Sequence, residues 1–204
     1  YSQISEEFKP NLHLKIGRLL LQETPETELD DRLFDIVNSF NLGVKSIRDR
    51  AEIVQLAQLN LNAGRKAKAS TAYDDASCYF DRGLQLLPQS AWDEHYQLAL
   101  DLHVEAIELA YIQTNFQRAQ QLSDLAIART QTVLDRVKID ELKINFYFTQ
   151  NQMQAAIDTA LDTLQRLGVT LPKQPNRIQF SIGLLRAKLR QFPRSIEKLT
   201  ALPT

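Results

Sequence analysis

The chain has few of the residues that build disulfide frameworks, tight loops or membrane spans. Its 204 residues include one cysteine, six glycines and seven prolines. The single Cys78 excludes an internal disulfide framework and fits a reducing compartment, so a cytoplasmic location is expected. No apolar run approaches the roughly 20 residues that span a bilayer, and no signal peptide is visible. The scarce glycines and prolines separate apolar runs, which favours long helices over a strand-rich fold.

Charge of one sign is also lacking in the chain as a whole. The sequence holds 24 Lys or Arg against 25 Asp or Glu, a formal net charge of −1, so bulk charge predicts no nucleic-acid partner. The distribution is uneven, because residues 173–204 carry seven basic residues and one acid, +6, which leaves −7 for residues 1–172. A hydrophobic content of 44% suffices for one core. Since the first residue is Tyr1, we expect the chain to be part of a longer protein.

The stretch from Leu59 to Pro88 organises the prediction of the fold. It reads as a helix, a tight turn and a second helix. Ala76, Phe80 and Gly83 lie four and three residues apart, so they share one helix face that a neighbouring helix can approach closely. Ser70 and Thr71 are predicted to cap the second helix. The positions that carry the pattern are Gly64, Ala67, Ala76, Phe80, Gly83 and Pro88.

This spacing resembles the tetratricopeptide repeat, which places small residues at a helix crossing, an aromatic residue beside them and a closing proline. The two following units keep parts of the pattern, at Phe116, Ala119 and Ala126 and then at Met153, Ala156 and Leu164, whereas Ser123 and Thr163 depart from it. The resemblance implies an all-α superhelix of about four antiparallel hairpins over residues 1–172, in which each hairpin contacts its neighbours.

Caps and stops divide this region into eight helices. Thr24 is predicted to cap the second helix and Gly43 to end it, and Ser46 with Asp49, and Ser90 with Asp93, to open the third and fifth. The predicted helices run from about Pro10 to Gln22, Thr24 to Gly43, Ser46 to Ala69, Thr71 to Leu87, Ser90 to Gln113, Asn115 to Arg129, Thr132 to Thr149 and Asn151 to Gly168.

Residues 173–204 are predicted to form a linker and a basic amphipathic helix from Arg177 to Phe192. One apolar stripe runs along this helix, at Ile178, Ile182, Leu185, Leu189 and Phe192. Because only a short linker separates it from the eighth helix, we expect it to cap the last hairpin. The alternatives are a helix covered by a partner or a second copy, and a helix lying on an anionic membrane.

Residues with catalytic or metal-binding chemistry are present but scattered. His13, His95 and His103 have no cysteine or carboxylate at metal-ligand spacing, so structural histidines are expected. Cys78 would need a base partner to act as a nucleophile, and a small buried hydrophobe is an equally favoured interpretation. Gly64, followed by Arg65, lacks the upstream glycine and the strand of a phosphate-binding loop. We therefore expect no catalytic residue, metal or cofactor.

The basic cluster Arg65, Lys66 and Lys68 has two interpretations. It can be a solvated helix face, or it can line a groove formed by the first helix of each hairpin, as the repeat resemblance implies. The mixed charge of this groove departs from the carboxylate clamp of co-chaperone repeats, so a protein partner other than a chaperone tail is expected. The candidate groove residues are Gln58, Leu61, Arg65, Lys68, Val104, Glu108, Tyr111, Glu141, Asn145 and Phe148.

A second resemblance covers nearly the whole chain. The segments His13 to Gly43, Leu59 to Leu87 and Arg194 to Pro203 resemble the helical region of large cyanobacterial-type multidomain signalling proteins. Those proteins combine a serine/threonine kinase, an ATPase of the AAA/STAND kind, this helical region, a GAF domain and often a histidine kinase. The resemblance implies a non-catalytic module that binds flanking domains or a peptide. The rival hypotheses are a free-standing peptide-binding adaptor and an α-helical enzyme.

Overall fold

The computed structural model describes residues 8–172, and every regular element in that range is helical. The prediction of an all-α fold is therefore confirmed. Two short 3₁₀ turns, Glu26–Glu28 and Val44–Ser46, flank the second helix. The nine α-helices of the described part are α1 Lys9–Glu23, α2 Leu33–Gly43, α3 Arg50–Ala69, α4 Tyr73–Leu86, α5 Ala91–Glu94, α6 Tyr96–Ile112, α7 Phe116–Ile127, α8 Val133–Thr149 and α9 Met153–Arg166.

The helices pair into four antiparallel hairpins, namely α1 with α2, α3 with α4, α6 with α7, and α8 with α9. The first helices of the hairpins, α1, α3, α6 and α8, contact one another in sequence and form one layer, and the second helices α2, α4 and α7 do the same in the other. Each hairpin packs on the next, because α3 contacts α2, α6 contacts α3 and α4, and α8 contacts α6 and α7. This stacking of neighbours produces an all-α superhelix.

The crossing of α3 and α4 depends on Gly64. A Cβ added there would lie 2.3 Å from Cε1 of Phe80, whose ring is fully buried. A Cβ at Gly83 would come within 2.6 Å of Cδ2 of Leu102, so this glycine lets α6 approach α4. The small and aromatic positions predicted in this hairpin therefore lie at its helix crossings.

The same arrangement recurs in the first hairpin, for which no pattern of small and aromatic residues was predicted. A Cβ at Gly17 would lie 2.9 Å from Cδ2 of Phe40, and one at Gly43 would lie 2.5 Å from the backbone nitrogen of Leu14. Phe40 and Gly43 thus repeat the spacing and the packing roles of the phenylalanine and glycine in α4. The missed signal was this pair of Phe-x-x-Gly strings.

The turns within the last three hairpins share one geometry. Thr71, Thr114 and Asn151 have φ values of 60°, 57° and 57°, in the left-handed region. The amide after each residue donates to a carbonyl five residues earlier, as in the hydrogen bond of 2.9 Å from Ala72 N to Ala67 O. This is the Schellman pattern that ends a helix. The prediction that Thr71 caps α4 is wrong, because α4 begins at Tyr73 without a side-chain cap.

Two more predicted caps are wrong for a related reason. Thr24 closes α1 instead of opening α2, because its hydroxyl donates to Leu20 O and α2 begins only at Leu33. Ser46 lies in a 3₁₀ turn, and the residue that caps α3 is Asp49, which accepts from Ala51 N at 3.0 Å. A short polar side chain can close one helix as readily as it opens the next, so its position alone does not fix the boundary.

The predicted fifth helix is divided at His95, whose φ and ψ of −134° and 44° separate α5 from α6. Ser90 makes no side-chain cap, and its hydroxyl is buried without a hydrogen-bond partner among the described residues. By contrast, Asn115 and Thr132 cap α7 and α8 by accepting from the amides three residues on. The starts of these two helices agree with the prediction.

A pair of hydrogen-bonded side-chain amides, one of them fully buried, joins the first two hairpins. Asn60 in α3 is fully buried, and its side-chain amide exchanges hydrogen bonds of 2.9 and 3.0 Å with that of Asn41 in α2. The same Asn60 nitrogen also donates to Leu56 O. Because a buried amide without partners is costly, this pair fixes how α3 sits on α2.

The described array ends at α9, whose outer side keeps apolar side chains in solvent. Met153, Ile157 and Leu167 are 47%, 50% and 42% exposed. The predicted helix Arg177 to Phe192 and its capping role lie outside the described residues. Within residues 8–172, no helix is both long and apolar enough to cross a membrane.

Packing at the α3–α4 crossing predicts a large effect for Ala76→Leu. Ala76 is fully buried, so the added atoms must displace neighbours, and we expect unfolding to become easier by about 1–3 kcal/mol. Ala69→Leu is the matched control, because Ala69 is exposed at the end of α3, and its effect should stay within about 0.5 kcal/mol. Denaturant melts measure both, and equal effects would contradict this packing.

The left-handed turn predicts that Thr71→Gly stabilises the chain. A residue other than glycine in the left-handed region costs the folded state about 1–2 kcal/mol, and glycine avoids this cost. Glycine also raises the conformational entropy of the unfolded chain, which offsets about 0.5–1 kcal/mol of the gain in stability. We therefore expect a net gain of about 0.5–1 kcal/mol in a denaturant melt. The adjacent Ser70 has a φ of −88°, so Ser70→Gly should give no gain. A loss of stability in Thr71→Gly would show that the threonine is not strained there.

Candidate functional site

The candidate site lies on the layer of first helices, where α3 faces α6. Arg65 Nε lies 2.7 Å from a carboxylate oxygen of Glu105, and Arg65 Nη2 lies 3.2 Å from Asp101. Lys68 Nζ lies 2.5 Å from Glu105 and 2.6 Å from Glu108. These five residues form a continuous set of ion pairs between neighbouring hairpins, which we call the ladder.

The ladder neutralises the basic cluster instead of presenting it. The side chain of Glu105 is only 13% exposed, and that of Lys68 is 21% exposed. Burial alone would lower the pKa of Lys68, but the carboxylates of Glu105 and Glu108 outweigh it, and the pKa is raised. Lys66 does not join the ladder and bonds Asp30 instead. Each member of the basic cluster thus has an acidic partner, but the ion pairs still face solvent, since the side chain of Arg65 is 43% exposed.

Beyond the ladder, α6 and α8 enclose an open cavity of about 370 Å³, the inner cavity. Its main wall is an aromatic stack in which the rings of Tyr111 and Phe146 lie 4.6 Å apart and nearly parallel. Burial raises the pKa of the Tyr111 hydroxyl, although a hydrogen bond with Ser123 acts in the opposite direction. The described residues that line the cavity are Glu108, Tyr111, Ile112, Thr114, Leu142, Asn145, Phe146, Thr149 and Gln150.

The inner cavity brings together three of the predicted groove residues. Glu108, Tyr111 and Asn145 line it, and Glu108 also belongs to the ladder with Arg65 and Lys68. The prediction that these residues share one surface therefore has a geometric basis in α3, α6 and α8.

The remaining predicted groove residues do not join them. Leu61 is 1% exposed and belongs to the core, so its prediction as a groove residue is wrong. Val104 is partly buried against the core cluster around Trp92. Gln58 is exposed and bonds Asn62 on its own helix. Glu141 and Phe148 are exposed outside the cavity lining.

Sequence reasoning missed Asp101, Glu105 and Phe146. Asp101 and Glu105 form an acidic stripe with Glu108 at intervals of four and three residues, opposite two basic residues three apart on α3. This complementary spacing was the available signal. Phe146 was missed because Phe148 was assigned to the inner face of α8 in its place. Residues two positions apart on a helix point about 200° away from each other.

Groups with catalytic or metal-binding chemistry stay apart in the described part of the chain. Residues 8–172 contain no group of three or more histidine, cysteine or acidic side chains placed to hold a metal ion. Cys78 is exposed, so the interpretation of a small buried hydrophobe is wrong. His103 is buried, as a structural histidine would be, and its Nδ1 lies 2.7 Å from Ala99 O.

Comparison with known proteins finds one weak but extended similarity. The chain is 26% identical over 186 residues to "Hybrid signal transduction histidine kinase G" of Dictyostelium discoideum. The match covers 80% of this chain but only 5% of that kinase. Neither a protein-family model nor a solved structure matches. The chain is thus similar to a small region of a signalling protein.

A polar cluster at the start of α8 ties this helix to α6 and so supports the inner cavity. Asp135 accepts hydrogen bonds from Tyr96 Oη at 2.9 Å, Thr132 Oγ1 at 2.7 Å and Lys138 Nζ at 3.1 Å. Burial acts to raise the pKa of Asp135, but these three donors outweigh it and hold the pKa below its ordinary value of 3.8. The ionised carboxylate therefore stabilises the fold.

The depressed pKa predicts an acid dependence of stability that Asp135→Asn removes. The contribution of Asp135 is complete above its ordinary pKa of 3.8 and is lost as the pH falls through the lower folded value. At neutral pH we expect Asp135→Asn to cost about 1–3 kcal/mol, since it weakens hydrogen bonds to a charged group. Denaturant melts from neutral pH to below the ordinary pKa measure this.

In those melts the difference between the wild type and Asp135→Asn should shrink towards the acidic end. Asp124→Asn is the control, because Asp124 is exposed on α7 and bonds only Gln120 on its own helix. A difference that stays constant across the whole pH range would contradict the role given to the Asp135 carboxylate.

Proposed function

We propose that the chain is a non-catalytic helical module of a signal-transduction protein, and that it binds a protein segment through the surface formed by the ladder and the inner cavity. The observation that carries this proposal is the inner cavity, where an open aromatic wall adjoins charged side chains between two neighbouring hairpins. An apolar wall with a few polar groups is typical of sites that take side chains of a partner.

The placement of Tyr111 and Asn145 suggests what the segment supplies. The stacked rings of Tyr111 and Phe146 favour an apolar or aromatic side chain, and the exposed amide of Asn145 can donate to or accept from its backbone. Glu141, exposed one turn before Asn145, favours a basic residue beside it. The partner is thus a segment with an apolar anchor and a neighbouring positive charge.

A protein partner fits this surface better than a nucleic acid does. Arg65 and Lys68, the basic residues of the ladder, are both held by carboxylates. A polyanion would have to displace these carboxylates and would meet Glu108 and Glu141 along the way. Duplex binding is therefore not expected.

The similarity to a hybrid histidine kinase supports a place in a larger signalling protein. We propose that the segment belongs to a flanking domain of the same polypeptide, in a parent protein that carries a kinase and an ATPase domain. A free-standing adaptor for peptides is the alternative. The two differ in affinity, because an intramolecular contact is strengthened by its high effective concentration and can be weak when measured between separate molecules.

Peptides selected from a random display library against the chain test the use of the inner cavity. We expect the selected peptides to share an apolar or aromatic residue beside Lys or Arg. Their affinity should fall at least about tenfold in Asn145→Arg, since this exposed substitution places a large cation at the cavity. Gln121→Arg adds the same charge to the exposed side of α7 and is the matched control.

Calorimetry on the wild type and both variants separates the outcomes. If both variants lose binding equally, the loss is an effect of net charge. If both variants keep full binding, the peptides do not bind at the inner cavity, which contradicts the proposal. Dissociation constants below about 1 µM for the isolated chain would favour the adaptor.

The predicted C-terminal helix completes the proposal. The exposed apolar side chains of α9 need a cover, and residues 177–192 are connected to that helix by a short stretch of chain. Their basic residues complement the net negative charge of residues 1–172. We therefore retain the cap as the role proposed for this segment, ahead of a membrane or a second copy.

A further inference from the structure

A second cavity lies away from the proposed binding surface, between α4 and α7, and is closed at its base by α5 and α6. Its volume is about 660 Å³, and we call it the outer cavity. Volumes of roughly 300–1,000 Å³ with mostly apolar walls and a few polar groups are typical of small-molecule sites. Leucines of α4 and α7, among them Leu122 and Leu125, supply the apolar part of the wall.

His103 lines the outer cavity, and the hydrogen bond of its imidazole ring fixes which nitrogen carries the proton. His103 is 6% exposed, and its Nδ1 lies 2.7 Å from the carbonyl of Ala99. A carbonyl can only accept, so Nδ1 carries the proton and Nε2 is left as an acceptor. Burial lowers the pKa of His103, which keeps the ring neutral at pH 7. In the described part of the chain no group donates to Nε2.

Beside His103 the cavity offers a flat apolar surface. The rings of Trp92 and His103 lie 4.9 Å apart, and Trp92 is 8% exposed. Trp92 also lines the outer cavity, so its indole can contact an aromatic ring there.

The mouth of the outer cavity carries a cation. Arg129 lines the cavity just after α7 and is exposed. Among residues 8–172, no carboxylate forms an ion pair with it, unlike Arg65 or Arg118 elsewhere in the array. A guanidinium in this position matches the planar geometry of a carboxylate.

We propose that the outer cavity binds a small aromatic carboxylate that also carries a hydroxyl group. The aromatic ring lies against Trp92, the carboxylate pairs with Arg129, and the hydroxyl donates to Nε2 of His103. Among residues 8–172, the Arg129 guanidinium has no carboxylate partner and Nε2 of His103 has no donor, so the carboxylate and the hydroxyl of the ligand would supply what these two groups lack. The proposal is independent of the function proposed for the inner cavity, because the two cavities share no lining residue.

The probe for this site is 4-hydroxybenzoate, compared with benzoate, which lacks the hydroxyl, and phenol, which lacks the carboxylate. Trp92 is the one tryptophan of the chain, so its fluorescence reports on the outer cavity directly, and calorimetry provides the affinity. We expect 4-hydroxybenzoate to bind the full chain with a dissociation constant below about 1 mM and to change the Trp92 emission. Benzoate and phenol should bind at least about tenfold more weakly.

Arg129→Gln tests the carboxylate contact without disturbing the core, since Arg129 is exposed. It should weaken 4-hydroxybenzoate at least about tenfold and leave the weak binding of phenol unchanged. Arg82→Gln, on an exposed position of α4 outside the cavity lining, is the matched control and should leave both unchanged.

Three results would overturn the proposal. They are the absence of 4-hydroxybenzoate binding to the wild type, equal binding of benzoate, and equal weakening in Arg129→Gln and Arg82→Gln. Thermal melts of both variants without ligand verify that each is folded when binding is measured.

Discussion

Contact between the ring of Phe80 and the backbone of Gly64 sets the distance between α3 and α4, and the later hairpins are built on that distance. Glycine inside a helix costs about 0.5–1 kcal/mol relative to alanine. Here the cost is offset because the ring occupies the place where a Cβ would be. With α4 held so close, Gly83 presents a flat surface to Leu102, and α6 can pack on both helices of the preceding hairpin.

Residue chemistry at this crossing explains why the fold was predictable. Small residues at intervals of three and four, followed by a proline, have few interpretations other than a helix pair. Caps were harder to predict, because Thr24 bonds a carbonyl at the end of α1 and Ser46 lies in a 3₁₀ turn, and spacing does not distinguish either position from the start of a helix. The left-handed Thr71 could not be foreseen, since threonine disfavours that conformation and only the surrounding packing holds it there.

Residues of the candidate site could be predicted only on helices whose register could be predicted from the sequence. Arg65, Lys68 and Glu108 meet in the ladder because the face of α3 and the face of α6 were assigned correctly, although α6 begins at Tyr96 and not at the expected Ser90. On α8 a small error in register exchanged Phe148 for Phe146, and a rotation of about 200° decides whether a ring faces solvent or a neighbouring helix. The outer cavity involves four elements that are distant in sequence, so no local pattern indicates it.

The joints between hairpins differ in kind. Between α3 and α6 the ladder holds two helices through ion pairs that share Glu105, and such pairs need their partners in fixed positions. Between α6 and α8 two contacts act on the same layer, the hydrogen bond from Tyr96 to Asp135 at the start of α8 and the Tyr111–Phe146 stack beside an open cavity. Stacked rings can slide without losing a hydrogen bond, so this joint can move more easily at its cavity end than at its Asp135 end.

The amide pair of Asn41 and Asn60 has a consequence for how the array assembles. Any order of stacking that puts another hairpin against α3 buries Asn60 without its partner, at a cost of about 1–3 kcal/mol. Hydrophobic faces of similar shape could not make that distinction, because they pack against one another with little preference. The hairpins are therefore not interchangeable parts, and a chimera that duplicates or shuffles them would have to carry both asparagines together to keep its neighbours in order.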